Sequence, residues 1–298
     1  MENIGFIGLG IMGKPMCLNL LKSGYSVTAY NRTKSKMDEI VREGAEAADS
    51  PGQVADRSDI IITIVTDSPD VEEVILGKEG IIHGVKTGSV VIDMSTISPL
   101  VTRTIARKLN EKGAEMLDAP VSGGDTGAKA GTLAIMVGGK KDVFEKCLPV
   151  FEVLGKSITH VGDHGMGQTV KLCNQILVSV TNMAVCEALL FAKKSGVDPT
   201  VMIEATKNGA AGSWQLSNLA PKMVVRDFAP GFMIDLQQKD LRLALESAHK
   251  MHLSVPALSL VHQLFAGCQA VGEGSEGTQA LIKSLERLGG MRQKDKND

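Results

Sequence analysis

The chain is 298 residues long, 43% hydrophobic and 22% charged, with a formal net charge of -2. That length accommodates two domains and a sizeable core. The near-neutral charge, the 3% of aromatics and the lack of a basic block beyond the short polar tail at 292–298 exclude a nucleic-acid footprint. Five cysteines, an odd count without a C-x-x-C, read as free thiols in a reducing cytosol, and no charged and apolar leader precedes the first strand. The expectation is a cytoplasmic protein.

Residues 4–7 form an apolar run that leads straight into Gly8-Leu9-Gly10-Ile11-Met12-Gly13, and a helical pattern follows over 14–21. In that strand–turn–helix context, Gly8 permits a tight turn. Gly10 leaves room for a pyrophosphate against the backbone, and Gly13 lets helix and strand pack closely. The helix start then offers unpaired N–H groups and a positive dipole end to phosphates. Further apolar runs at 27–30, 60–65, 90–94, 133–137 and 158–161 read as strands. Helix starts lie between them: a capping box from Ser50 to Gln53 with Pro51 at the first helical position, and Ser68 and Ser98 each before a proline. Alternating βα units predict a mostly parallel, doubly wound sheet.

From about 165 to 194 the pattern becomes one helix, roughly 45 Å long at about 1.5 Å per residue. Apolar residues lie on nearly every face, which predicts a buried helix packed against two domains or another subunit. Lys171, Asn174, Asn182 and Glu187 argue against a membrane span. After Asp198-Pro199 the chain reads helical at 199–207, 236–251, 256–270 and 278–288. The expected architecture is α/β. A dinucleotide-binding Rossmann domain at 1–162 is joined by a long spine helix at 163–194 to an all-helical substrate and oligomerisation domain at 195–298.

Four segments could carry chemistry. The second strand ends at Asn31-Arg32-Thr33, about where an NAD-selective site keeps an acid for the ribose hydroxyls. The acid is missing, and Arg32 could pair with a 2′-phosphate instead, so NADP(H) is expected over NAD(H), with NAD(H) still admissible; otherwise Arg32 is a solvated strand end. Ser122, Gly123 and Gly124 offer a hydroxyl and backbone N–H groups to a carboxylate, or form a plain loop. Lys171 and Asn174 share a face of the spine helix at i and i+3. A desolvated lysine can exchange protons near neutral pH, but taken alone Lys171 reads as snorkelling off the first turn. Lys239, in a K-D pair of a later helix, could reach cofactor or substrate, and alone reads as part of a solvated face. The six histidines lack metal-ligand spacing, and there is neither a G-x-S-x-G nor a P-loop.

Together and in this order, these segments resemble the β-hydroxyacid dehydrogenase family over essentially the whole chain. The resemblance implies an NAD(P)-dependent, metal-free oxidoreductase interconverting a small hydroxyacid and its semialdehyde. It implies Lys171 as catalytic lysine, Ser122, Gly123 and Gly124 as the substrate-carboxylate loop and Asn174 as a substrate ligand. Thr96 and Lys239 match cofactor-contacting positions. Gln175, where other members keep a second asparagine, is similar to the tartronate semialdehyde (2-hydroxy-3-oxopropionate) reductases. The 3-hydroxyisobutyrate dehydrogenases and glyoxylate/succinic semialdehyde reductases are the alternatives. Expected partners are a small carboxylate-bearing substrate and further copies of the chain, with neither nucleic acid nor membrane. Ser213, Trp214 and Asp235 are candidates to set the substrate side chain. Two readings compete: an idle dinucleotide-binding module, which would not need Lys171, and a 6-phosphogluconate-type decarboxylating dehydrogenase, for which the chain is short.

Overall fold

Ile60, Ile61 and Ile62 pack alternately to opposite faces of one sheet, as the two-residue period of a strand requires. Ile60 and Ile62 join Ile4, Phe6, Val90 and Ile92 on one side, with Met16, Leu20 and Phe151 from covering helices. Ile61 joins Ile7 and Val91 on the other, with Val71, Ile75, Ile105 and Leu109. A sheet buried on both faces is built from continuous apolar runs, which is what these strands are. The structure, a computed structural model, describes residues 2–291; the polar tail at 292–298 lies outside the described residues.

The strands are β1 (Ile4–Ile7), β2 (Val27–Tyr30), β3 (Glu46–Ala47), β4 (Ile60–Thr63), β5 (Val90–Asp93), β6 (Glu115–Asp118), β7 (Val121–Ser122), β8 (Leu133–Gly138) and β9 (Gly155–Gly162). Their order is β3-β2-β1-β4-β5-β6-β8-β7, with β9 paired to β8. The first six are parallel; β8 runs antiparallel to β6 and β7 and parallel to β9. This is the doubly wound sheet, with its switch point between β1 and β4. The two-residue strands β3 and β7 are too short to leave a periodic signal.

The chain divides into two compact units, Met1–Lys171 and Leu172–Asp298. The second is helical among the described residues, with Pro199–Thr206, Ile234–Lys250, Pro256–Ala270 and Leu281–Leu288 around a core that includes Leu241, Val261 and Phe265. Two short helices, Trp214–Asn218 and Ala220–Val224, were not expected from the sequence; each is only five residues, under two turns.

Three local expectations need correction. Ser50 does accept the Gln53 N–H at 3.2 Å, but the Gln53 side chain returns to Asp49, so the capping box is half made. Asp67, not Ser68, caps the helix Ser68–Leu76. Ser98 makes no side-chain cap, and its own N–H donates to the Ser68 hydroxyl at 3.1 Å.

The long helix spans Met166–Lys194 and passes by length and hydropathy as a membrane span. Its buried polar side chains bond protein groups, however: Gln168 to the main chain at Ser95 and Ile97, Gln175 to Asp240, and Asn182 to the Thr278 carbonyl. Within the single chain, Leu177 is 69% and Phe191 75% exposed, so this chain leaves part of the helix's apolar surface uncovered. All five cysteines are unpaired, and burial pushes the Cys17 and Cys147 thiols up to about 12.

Candidate active site

The glycine turn sits at the carboxyl end of β1, at the switch point. Gly8 has φ +102°, and a Cβ there would meet the Ile64 carbonyl oxygen at 2.2 Å. A Cβ on Gly13 would collide with the Gly8 carbonyl oxygen. The fold itself therefore demands these two glycines. Gly10 differs: a Cβ there would meet no protein atom within 4 Å. Nothing in the fold requires glycine at this position, whereas close approach of a ligand to the backbone would. The following helix, Gly13–Lys22, has no side-chain cap and no acid in its first turn, so its leading N–H groups suit phosphate. Ile11 is exposed and Met12 partly buried.

The end of β2 braces this turn. Asn31 Oδ1 accepts the Leu9 N–H at 2.9 Å, and its Nδ2 donates to the Thr33 carbonyl at 2.9 Å. The Arg32 side chain is 88% exposed, its guanidinium 3.5 Å from Asp70. Thr33 is exposed beside it.

The lysine lies in the same unit, on the helix whose first turn is anchored just beyond β5 and at the end of β6. Lys171 is 7% exposed, and its Nζ donates to the Val121 carbonyl at 2.8 Å. The snorkelling alternative is thus excluded. The contact places the ammonium one residue from Ser122, where β7 ends and the chain turns through Gly123 (φ +137°) and Gly124 (φ +61°). Those angles suit glycine, and they swing the main chain away from β7 into the short helix Gly124–Ala130. An ammonium and a loop of main-chain amides are brought together, although 50 residues separate Lys171 from Val121.

Asp118 positions the start of the lysine's helix, a role the sequence did not disclose. From the end of β6 its two carboxylate oxygens accept the N–H groups of Gly165 at 2.8 Å and Gln168 at 2.9 Å. Burial raises its carboxyl to about 6 against the pull of those two N–H bonds. Thr96, partly buried, sits between Ser95 and Ile97, both of which bond Gln168.

In the second unit, Asn174 Nδ2 donates to Gln175 Oε1 at 2.9 Å, and Gln175 Nε2 donates to Asp240 Oδ2 at 2.5 Å. The other Asp240 oxygen lies 2.6 Å from Lys239 Nζ. Asn174 and Lys239 are therefore joined through Gln175 and the buried Asp240. The solvated-face reading of the K-D pair does not hold. The only sequence signal for Asp240 was an acid beside a lysine on a helix; its buried partner Gln175 is 65 residues away.

A dinucleotide turn at the switch point, with a buried lysine beside a glycine loop at the far edge of the same sheet, defines a nicotinamide-dependent oxidoreductase. Residues 3–162 match the family of the NAD binding domain of 6-phosphogluconate dehydrogenase, and residues 165–285 that of the NAD-binding region of NADP-dependent 3-hydroxyisobutyrate dehydrogenase. The chain is 46% identical over 287 residues to 2-hydroxy-3-oxopropionate reductase of Escherichia coli, covering 96% of this chain and 97% of that one. It is 43% identical over 289 residues to 2-(hydroxymethyl)glutarate dehydrogenase of Eubacterium barkeri, covering 97% and 96%. Among solved structures, 3-hydroxyisobutyrate dehydrogenase of Mycobacterium tuberculosis, with L-serine, superposes with a TM-score of 0.89 at 29% identity, covering 96% and 99%. The chain belongs to the β-hydroxyacid dehydrogenase family and is an NAD(P)-dependent hydroxyacid dehydrogenase. The match of its second half to the 3-hydroxyisobutyrate type weighs against the decarboxylating sugar-acid reading.

Proposed function

We propose that this enzyme reduces 2-hydroxy-3-oxopropionate, a three-carbon semialdehyde bearing a carboxylate, and that it prefers NADPH. The observation that carries the chemistry is the Lys171 ammonium bonded at the Val121 carbonyl, next to Ser122 and the two glycines. Ser122 and the neighbouring N–H groups receive the substrate carboxylate, and Asn174 steadies the substrate oxygen. Fixing the carboxylate fixes the aldehyde carbon relative to the lysine, which removes much of the entropic cost of reaction. Lys171 holds a proton toward the carbonyl oxygen, stabilises the charge that develops there and gives the proton up; in the oxidation direction it takes the proton back. The turn from Gly8 to Gly13 holds the pyrophosphate, Arg32 pairs with a 2′-phosphate, and Thr96 and Lys239 add further coenzyme contacts. When bound, the nicotinamide supplies or accepts the hydride.

The substrate assignment is supported by the likeness to the Escherichia coli reductase, and the coenzyme preference by Asn31 and Arg32 standing where an acid would favour NAD. Steady-state rates with NADPH and NADH test both. The panel is 2-hydroxy-3-oxopropionate, glyoxylate, succinic semialdehyde, methylmalonate semialdehyde and, in the oxidation direction, 2-(hydroxymethyl)glutarate. The expected result is the highest kcat/KM for 2-hydroxy-3-oxopropionate with NADPH; a different winner replaces the substrate assignment. Lys171→Ala should abolish turnover while coenzyme binding survives, and near-wild-type turnover in that variant would remove Lys171 from the chemistry.

A further inference from the structure

Gln168 lies on the first turn of the long helix, one turn ahead of Lys171, and is 0% exposed. Its side-chain Nε2 donates to the Ser95 carbonyl at 2.8 Å, and its Oε1 accepts the Ile97 N–H at 3.0 Å. The two partners flank Thr96, so the amide brackets that one residue much as a neighbouring strand would. The main-chain N–H of Gln168 donates in turn to Asp118 Oδ2 at 2.9 Å. Ser95 is itself held, its hydroxyl by the Val65 N–H at 2.9 Å and its N–H by Asp93 Oδ1 at 3.2 Å. Every one of these groups lies within Met1–Lys171.

The segment from Ser95 to Ile97 presents one carbonyl and one N–H to the helix. A primary amide matches both at once, with a donor and an acceptor on one planar group. A side chain that satisfied only one would leave the other polar group buried and unmatched. This explains why a fully buried polar residue stands on a helix that is otherwise largely apolar.

We propose that Gln168 is a positioning residue that ties the Thr96 segment to the first turn of the lysine-bearing helix, so that one side chain sets the coenzyme contact against the proton donor. The inference rests on the roles proposed above for Thr96 and Lys171. Gln168 itself touches neither coenzyme nor substrate; it acts through the main chain on either side of Thr96 and through the register of the helix.

The test uses Gln168→Glu and Gln168→Met in the full chain. A protonated glutamic acid offers the same donor and acceptor as the amide, whereas an ionised one turns a negative oxygen toward the Ser95 carbonyl. Burial raises a carboxyl's pKa, so the Glu variant should work at the acid end and fail as pH rises. The measurements are kcat, KM for NADPH and NADPH affinity by fluorescence, each as a ratio to wild type from pH 5.5 to 8.5. For Gln168→Glu the expected ratio of kcat/KM is within about twofold of wild type at low pH and down roughly tenfold at high pH. Gln168→Met should lose activity at every pH with a flat ratio. Full kcat and affinity in Gln168→Met would overturn the proposal, as would a Glu variant whose ratio ignores pH. If the Glu variant does not fold, Gln168→Met alone decides. If wild type turns over no member of the substrate panel, the substrate reading fails by itself, and NADPH affinity in the two variants still decides the role of Gln168.

Discussion

Asn31 and Arg32 are neighbours with different duties. The Asn31 amide is spent on the Leu9 N–H and the Thr33 carbonyl, bracing the glycine turn from behind. Arg32 points its guanidinium into solvent and meets Asp70 at 3.5 Å, an exposed pair of a kind worth about 0–1 kcal/mol and readily exchanged for a phosphate. Charge-assisted hydrogen bonds contribute about 1.5–3 kcal/mol. Arg32→Ala should therefore lower kcat/KM for NADPH by roughly 10- to 100-fold while leaving NADH almost unchanged. Rates with the two coenzymes side by side check this, and an equal loss in both would give Arg32 a structural role instead. The missing acid at position 31 was legible in the sequence. The destination of the Asn31 side chain was not, because its partner Leu9 is 22 residues away and is met only once β1 and β2 pair.

At the scale of elements, the helix Met166–Lys194 was readable in its length, and its first-turn lysine was plain to see. Its anchoring was not readable. Asp118 receives the Gly165 and Gln168 N–H groups from the end of β6, across 47 and 50 residues. Local capping rules find only caps that are local: they found Ser50, but at Ser68 they missed by one residue, because the Asp67 side chain takes the cap. The anchor has a pH signature. Burial raises the Asp118 carboxyl from 3.8 in the open chain to about 6, so between those values the folded state binds more protons than the unfolded state. Its contribution to stability therefore improves as pH falls from about 6 toward 4. An Asp118→Asn variant does not titrate and turns one amide N–H toward a helix N–H. Melting temperatures of both proteins across pH 4–8 should show wild type changing relative to the variant in that sense, with the difference constant above about pH 7. A constant difference throughout would mean that Asp118 titrates as it does in the open chain.

At the scale of the whole molecule, the alternation of apolar runs with helical patterns gave the doubly wound sheet, and the all-helical remainder followed from its lack of strand patterning. Each unit has a core of its own, one including Ile61 and the other Phe265. Ile61→Ala and Phe265→Ala should each cost about 2–5 kcal/mol. Hydrogen exchange should localise the first loss within residues 1–171 and the second within 172–291. Loss of protection across the entire chain from either substitution would show that the two cores open as one. Leu177 and Phe191 are left exposed by their own chain, which apolar content alone does not locate, since it does not say which face of a helix that chain covers. The glycine turn has a last consequence, for how this chain tolerates change. The fold requires glycine at Gly8 and Gly13, whereas a Cβ on Gly10 meets no protein atom within 4 Å, so glycine there answers to the coenzyme contact proposed above. A library of every single substitution, sorted once for soluble protein and once for catalysis, should reject changes at Gly8 and Gly13 in both sorts and at Gly10 in the second alone. A copy of this gene released from catalysis would then let position 10 drift first, leaving a well-folded protein blind to its coenzyme.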